Sequence, residues 1–346
     1  MPSWIVTLIA VLSVTVVLVA CTLVYRRVLP SEPATLTALL VGVVGVIAWL
    51  GFYALVRPGI LTELVAPIAA LGALAAFLAT IVVRVAGATR AGAVVFALVW
   101  SAAVFAPTAV VAFTGLGPFG IRPIDQGGSL AVNVAAGAAA LGVLIVAPPR
   151  TSRAVSAPPS QWAAGLGMVA LIIGWLGWLV GAELAINDLA PLILVNGVLS
   201  AAGGVVGWLL VQRIRHQSTT LGAVAAGLIS GLVGVTAGAP FYAPPAAFVA
   251  GVLAGVFASL VTLRAVGGGG RAQWFIVGAH FIAGAVGLIV LALLAGDLGF
   301  FFTGQYVFLR DQVVSIFLVG VYSLAVSMGL WRVMRRIPAL VRPALA

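Results

Sequence analysis

Two short stretches of this chain, Asn133-Val-Ala-Ala-Gly137 and His280-Phe-Ile-Ala-Gly284, repeat one pattern inside long apolar segments. In each stretch a single polar side chain is followed by Ala-Gly one helical turn later. Residues three or four positions apart lie on one helix face, so we expect the small residues to let another helix pack beside the polar group. Polar residues inside membrane spans usually face the protein interior or a water-filled path. The repeat is typical of an internally duplicated transporter or channel with a site near the membrane midplane.

The composition around these stretches is that of a membrane protein. Hydrophobic residues make up 63% of the chain and charged residues only 7%. Apolar runs of about 20 residues, the length that crosses a bilayer, recur almost from end to end. We predict eleven spans, at about 4–25, 35–56, 60–83, 91–114, 128–147, 162–182, 189–211, 220–241, 244–263, 273–295 and 312–334. The predicted fold class is therefore an all-α polytopic membrane protein, with residues 1–346 forming one membrane domain.

The basic residues report topology rather than a nucleic-acid partner. All 17 are Arg, and eleven alternating spans put fourteen of them on one side: Arg26, Arg27, Arg84, Arg90, Arg150, Arg153, Arg213, Arg215, Arg264, Arg271, Arg332, Arg335, Arg336 and Arg342. Arg57, Arg122 and Arg310 fall on the other side, together with every acidic residue except Glu32. Because positive charge accumulates on the cytoplasmic side, we predict a cytoplasmic C-terminus and an outside N-terminus in the cell membrane.

The chain lacks the usual ingredients of an enzyme. Two His, seven carboxylates and the single Cys21 supply no metal-ligand cluster, so we expect no enzymatic activity, cofactor or metal. Gly267-Gly-Gly-Gly270 is followed by Arg-Ala-Gln instead of the Gly-Lys-Ser/Thr of a phosphate-binding loop. We interpret it as a short cytoplasmic connection between spans nine and ten.

His280 and Asn133 are the residues that we expect to line a pore. A mid-span imidazole can donate a hydrogen bond from one ring nitrogen and accept one at the other. The alternative is a hydrogen bond between helices that serves structure alone. The repeat of the pattern at Asn133 favours the pore over that alternative.

Two residues near the outer end of the sixth span are candidates for an outer vestibule. The ring of Trp178 can hold a small cation against its face, and Glu183 can attract one. An interfacial Trp and an ordinary loop charge remain the alternatives for these two positions.

Other polar residues are expected to support the helices. Asp125 precedes Gly127-Gly128-Ser129 and the fifth span, where a carboxylate can cap a helix N-terminus. Asn187 and Asn196, in or near the seventh span, are expected to hydrogen-bond to neighbouring backbone.

Several stretches, taken in their order and spacing, resemble one known family. They are Asp125-Gln-Gly-Gly-Ser through Gly137, Gly174-Trp-Leu-Gly-Trp-Leu-Val-Gly181, Asn187 through Asn196, Gly231-Leu-Val-Gly-Val-Thr236 and the segment around His280. Together they are similar to the ammonium transporter (Amt/Mep/Rh) family over nearly the whole chain. The resemblance implies two inverted five-helix halves, about 1–147 and 160–296, and a final helix at about 312–334. It also implies a homotrimer with one pore per subunit. We expect Thr236, which ends one of these stretches, to have a structural role.

The resemblance also shows where this chain departs from the family pattern. In the family, paired pore histidines come from the fifth and tenth spans, and here they correspond to Asn133 and His280. At the outer gate, Trp178 stands where a Phe is usual and Phe113 where a Trp is usual. Ala182 replaces a Ser that would hydrogen-bond to ammonium.

These departures bear on what the chain carries. Asn133 can bond to His280 but cannot titrate, so a proton relay between two histidines is not available. We expect a divergent ammonium or ammonia transporter or channel in the lipid bilayer, with passage of neutral ammonia more plausible than usual. One alternative is a non-transporting sensor that acts through a partner. Another is a channel for a different small solute, such as carbon dioxide or a small amine.

Overall fold

The computed structural model describes residues 3–28, 35–57, 59–147, 160–264 and 271–342. Within these ranges every regular element is helical, which confirms the predicted all-helical class. Extended pairing within the same ranges is limited to isolated bridges, Ala88 with Val341 and Tyr242 with Ala295. The predicted Gly267–Gly270 connection, and the positions of Glu32, Arg150 and Arg153, lie outside the described residues.

Within the described ranges we distinguish eleven main helices and number them in chain order. They are α1 Ser3–Val28, α2 Thr35–Val56, α3 Thr62–Val85, α4 Arg90–Thr114, α5 Leu130–Val146, α6 Gln161–Gly181, α7 Ala190–Ile214, α8 Leu221–Val235, α9 Pro244–Arg264, α10 Trp274–Leu294 and α11 Tyr306–Met334. A one-turn helix, Phe300–Thr303, precedes α11. Each predicted span overlaps one of these helices.

The lengths of the helices fit a multi-pass membrane protein. Nine helices of the described residues are long and apolar enough to cross a bilayer, whereas α5 and α8 are apolar but shorter. Side chains such as Leu12 of α1, Val43 of α2 and Phe317 of α11 are apolar and more than half exposed. Such surfaces are expected where helices face lipid.

Helices α3 and α10 lie at the centre. Most of α3 is buried, and α10 is the next most buried of the nine long helices. A helix that is apolar on all sides, as α3 is, belongs in the interior of a large bundle. The centre of the bundle is therefore formed by α3 and α10, which pack with α5 between them.

Small residues allow the helices of the second half to approach closely. A Cβ atom added at Gly231 of α8, or at Gly251 of α9, would overlap the backbone of Ser200 in α7. Glycine at both positions therefore lets two neighbouring helices touch the same turn of α7. This is the small-residue packing that replaces bulky side chains between membrane helices.

In the part of the chain that the structure describes, three helices contain a π-helical turn. These turns are Ser101–Phe105 in α4, Leu130–Val134 at the start of α5 and Val277–Ile282 in α10. The second turn contains Asn133 and the third contains His280. Widened turns of this kind are rare and often occur at functional sites.

Candidate functional site

Asn133 and His280, 147 positions apart in the chain, are in direct contact. The Nδ1 atom of His280 lies 2.8 Å from the Oδ1 atom of Asn133, and both residues are buried. An amide oxygen can only accept a hydrogen bond, so in this arrangement Nδ1 carries the hydrogen and donates it. In the neutral ring Nε2 is then left as an acceptor.

A tyrosine from the first helix occupies that acceptor. The hydroxyl of Tyr25 donates to Nε2 of His280 over 2.5 Å, and the two rings meet edge to face. Tyr25 is completely buried and also packs against Phe77 and Phe275. Tyr25, His280 and Asn133 thus form one hydrogen-bonded chain across α1, α10 and α5.

Tyr25 is a site residue that the sequence analysis did not predict. It is followed directly by Arg26-Arg27 at the end of an apolar span, and tyrosine there is typical of a membrane interface. That pattern predicts an exposed tyrosine at the membrane surface, whereas the Tyr25 side chain is completely buried.

The two small residues of the repeat lie where the helices meet. A Cβ atom at Gly137 in α5 would overlap the backbone of Phe281 in α10. A Cβ atom at Gly284 in α10 would lie 3.3 Å from the Cβ atom of Asn133. Gly137 therefore lets α5 pack against α10 beside His280, and Gly284 lets α10 pack against α5 beside Asn133.

A narrow cavity reaches Asn133 from the end of the bundle where α6 ends. It is lined by Val14, Val17, Leu71, Leu74, Gly127, Val132, Asn133, Trp175, Trp178 and Thr236. Its free space holds about one molecule of the size of water. Because its wall is mostly apolar, the cavity suits a small neutral molecule better than a hydrated ion.

The segment Asp125–Ser129 organises the mouth of this cavity. The indole nitrogen of Trp178 donates to the carbonyl oxygen of Gly127 over 3.0 Å. The amide of Gln126 donates to a carboxylate oxygen of Glu183 over 3.1 Å. These bonds tie α6 and the turn that follows it to the connection between α4 and α5.

Asp125 holds the beginning of α5. Its two carboxylate oxygens accept hydrogen bonds from the backbone N–H groups of Ser129, at 2.6 Å, and Leu130, at 2.7 Å. Burial raises the pKa of the Asp125 carboxyl to about 7, while bonds from the backbone of Leu130, Ser129 and Gly128 lower it. The carboxyl group satisfies N–H groups that have no partner inside the helix. Asp125 thereby fixes the start of the helix that carries Asn133, eight residues further along the chain.

The remaining candidates of the outer gate differ in their relation to the cavity. The ring of Phe113 lies over Gly128, where an added Cβ atom would meet it at 2.8 Å. Ala182 follows the last residue of α6, and its N–H bonds to the carbonyl oxygen of Trp178. Phe113, Ala182 and Glu183 are not among the residues that line the cavity, whereas Trp178 is.

Three polar residues expected to support the helices all bond within the protein. The hydroxyl of Thr236 accepts from the indole nitrogen of Trp175 over 3.0 Å. The amide of Asn196 donates to the carbonyl oxygens of Ala239 and Tyr242, both at 2.8 Å. The exposed Asn187 accepts from the N–H of Leu189.

Across the ranges that the structure describes, no three His, Cys, Asp or Glu side chains come together. What the site provides is a narrow cavity that Asn133 lines, and a chain of hydrogen bonds that leads from Asn133 through His280 to Tyr25.

Comparison with known sequences identifies relatives. The sequence model of the Ammonium Transporter Family matches residues 35–343. A protein named "Ammonium transporter" from Mycobacterium tuberculosis (strain ATCC 25618 / H37Rv) is 30% identical over 252 residues, covering 66% of this chain and 53% of that protein. Another of that name, from Bacillus subtilis (strain 168), is 31% identical over 143 residues, covering 41% of this chain and 35% of that protein. The chain thus spans about half the length, or less, of these curated relatives.

Solved structures share the fold. Mep2 from Saccharomyces cerevisiae superposes with a TM-score of 0.83 at 18% identity, covering 98% of this chain and 89% of that one. A structure described as "Sensor Amt Protein" superposes with a TM-score of 0.81 at 16% identity, covering 99% and 95%. At these identities the likeness is one of fold.

Proposed function

This chain belongs to the Ammonium Transporter Family, and from that membership we propose that it carries ammonium or ammonia across a membrane. The path runs from the region of Phe113, Trp178, Ala182 and Glu183, through the narrow cavity, and past Asn133 and His280. The observation that carries the proposal is the position of these last two residues. Asn133 lines a cavity that fits one small molecule, and its buried amide is bonded to the buried imidazole of His280.

We propose that the species that passes is neutral ammonia. The residues that line the cavity include no carboxylate, and a charge in the middle of a membrane is costly. Asn133 cannot take up a proton, so it cannot share one with His280. Ammonia needs only hydrogen-bond partners, which the amide of Asn133 and the imidazole of His280 supply. Ammonium arriving near Glu183 therefore leaves its proton in the outer water.

In the conformation described here the path is closed at His280. Both ring nitrogens are engaged, one with Asn133 and the other with Tyr25. An ammonia molecule can bond to His280 only after one of these partners has released it. We propose that Tyr25 is that partner, because it occupies the ring nitrogen that points away from Asn133.

For the whole molecule we propose eleven crossings, an N-terminus outside and a cytoplasmic C-terminus in the cell membrane. The halves are about 1–147 and 160–296, related as inverted repeats, with a final helix at about 312–334. Supporting this is the matched position of Asn133 and His280, each in a π-helical turn. From family membership we also propose a homotrimer with one path in each subunit.

Flux in proteoliposomes tests the proposal, with internal pH and membrane current recorded together. An outward-to-inward ammonium gradient should make the interior alkaline without current in the wild type. The variant His280→Phe fills the path and removes its hydrogen-bonding groups, so the rate should fall about tenfold or more. His216→Phe, which changes the other and exposed histidine, should leave the rate unchanged.

The variant Asn133→His separates the two modes of passage. A second titratable imidazole beside His280 restores a group that can share a proton, so current should accompany the alkalinisation. Current already present in the wild type would show that charge moves without a titratable side chain at position 133. This result would overturn the passage of neutral ammonia. A folded wild type with no flux would favour the sensor, or a channel for carbon dioxide or a small amine.

A further inference from the structure

A second cavity lies at the opposite end of the molecule from Trp178 and is lined by guanidinium groups. It has a volume of about 480 Å³ and is bordered by Val146, Arg332, Arg335 and Arg336. Val146 is the last residue of α5, and the three arginines lie on the last turn of α11 and just beyond it. None of these residues takes part in the path described above.

One of the arginines is fixed and the other two are available. The Nη1 atom of Arg335 donates to the carbonyl oxygen of Val146 over 2.7 Å. Arg332 and Arg336 make no side-chain hydrogen bond to another described residue, and both are exposed. The N–H groups of Arg332 and Arg336 can therefore bind a ligand in the cavity, while Arg335 is held in place by its bond to Val146.

Among the described residues, no carboxylate neutralises the positive charge of this cavity. Over the described part of the chain, the ion pair found joins Arg310 to Asp311, and no carboxylate comes within ion-pair distance of the three arginines. Three like charges around one cavity repel each other unless an anion lies between them. Guanidinium groups match the oxygens of a phosphate group and bind it with paired hydrogen bonds.

Apolar side chains beside the arginines indicate which kind of molecule carries this phosphate group. Ile145, Val333 and Ile337 are 57%, 56% and 42% exposed. They lie next in sequence to the cavity residues, at the ends of two apolar helices, where the bilayer meets water. A ligand with a phosphate head and acyl chains would cover both kinds of surface.

We propose that the cavity formed by Val146, Arg332, Arg335 and Arg336 binds the headgroup of an anionic phospholipid. The phosphate group lies between Arg332 and Arg336, while Arg335 bridges it to the end of α5. The acyl chains lie against Ile145, Val333 and Ile337. Basic pockets between membrane helices are known to bind anionic headgroups.

Native mass spectrometry of the protein in neutral detergent tests the site. The wild type is titrated with phosphatidylglycerol, with phosphatidylcholine of the same acyl chains, and with inorganic phosphate. We expect the tightest binding for phosphatidylglycerol. The triple variant Arg332→Gln, Arg335→Gln, Arg336→Gln should bind it about a hundredfold more weakly, since each arginine near the surface contributes about a fivefold factor.

A matched control removes the same charge elsewhere. Arg90, Arg213 and Arg215 are exposed residues at other helix ends, and their triple change to Gln should leave the affinity for phosphatidylglycerol as in the wild type. Equal losses in the two triple variants would mean that net charge acts diffusely, and would overturn the site.

Two further measurements keep the test decisive. The single variants Arg332→Gln and Arg336→Gln retain the bond from Arg335 to Val146, so they report on binding even if the triple variant unfolds. Each should weaken lipid binding about fivefold. Displacement of phosphatidylglycerol by inorganic phosphate, at concentrations near those of the lipid, would assign the cavity to free phosphate and contradict a lipid site.

Discussion

Tyr25, His280 and Asn133 satisfy one another in the buried interior of the bundle. Each buried polar group that lost its partner there would cost about 1–3 kcal/mol, so the chain of bonds holds the three side chains in register. These bonds occupy both ring nitrogens of His280. A molecule that replaces the hydroxyl of Tyr25 must therefore donate a hydrogen bond to Nε2, and an N–H group of ammonia is such a donor.

Replacing Tyr25 by Phe should open the path. The ring keeps its contacts with Phe77 and Phe275, but the hydroxyl that occupies Nε2 of His280 is lost. One net hydrogen bond is worth about 1 kcal/mol, so the rate of ammonia entry should rise about fivefold. Stopped-flow alkalinisation of proteoliposomes measures this rate.

Tyr242 provides the matched control for that experiment. It is also completely buried, and its hydroxyl donates to the carbonyl oxygen of Gly287 away from the cavity. The variant Tyr242→Phe should unfold more easily and leave the rate per folded protein unchanged. A rate for Tyr25→Phe that equals or falls below that of the wild type would show that Tyr25 does not close the path.

At the scale of the elements, the close contact of α5 with α10 positions the site. Gly137 faces the backbone of Phe281, the residue after His280, and Gly284 faces the Cβ atom of Asn133. The distance between the two helices, and hence the 2.8 Å bond between their polar residues, depends on these glycines. Added volume at either position would push the helices apart.

The variant Gly137→Ala should therefore be destabilising. Overpacking a close helix contact typically costs about 1–3 kcal/mol, and the shift would also lengthen the bond between Asn133 and His280. Gly329 of α11 is the control, since a Cβ atom there meets nothing within 4 Å. Gly329→Ala should be neutral or slightly stabilising. Thermal unfolding followed by circular dichroism in detergent compares the two, and equal midpoints would contradict the packing argument.

The repeat in the sequence predicted which two polar residues belong to the site, but only part of their surroundings. The repeated pattern around Asn133 and His280 is visible in the sequence because each of these residues is the single polar side chain in an apolar run. The π-helical turns that hold them leave no such signal, since nothing in the side chains marks the widened turn. Tyr25 and Gln126 were missed because their partners, His280 and Glu183, lie far away in the chain, and only tertiary packing brings them together.

At the scale of the whole molecule, the two short helices determine the topology. Helix α8 has 15 residues and α5 is also below the usual length of a span. Most residues of both helices are buried within the bundle. Under the proposed topology the segments that flank each short helix, such as Asp125–Ser129 before α5, complete its crossing. If either helix turned back, every later helix would change direction and the arginines would no longer share a side.

Labelling of single introduced cysteines in intact cells tests both crossings. Phe119 before α5 is 91% exposed, and Ser160 beyond it is exposed as well; His216 and Ala243 are exposed on either side of α8. A membrane-impermeant maleimide should label Phe119→Cys and Ala243→Cys directly, but Ser160→Cys and His216→Cys only after permeabilisation. The native Cys21 is buried, so the wild type sets the background. Labelling of His216→Cys and Ala243→Cys from the same side would mean that α8 does not cross, and the same outcome for Phe119→Cys and Ser160→Cys would exclude a crossing by α5. Either result would contradict the eleven-span topology, because a chain in which even one of these helices does not cross cannot consist of two inverted halves of five crossings each.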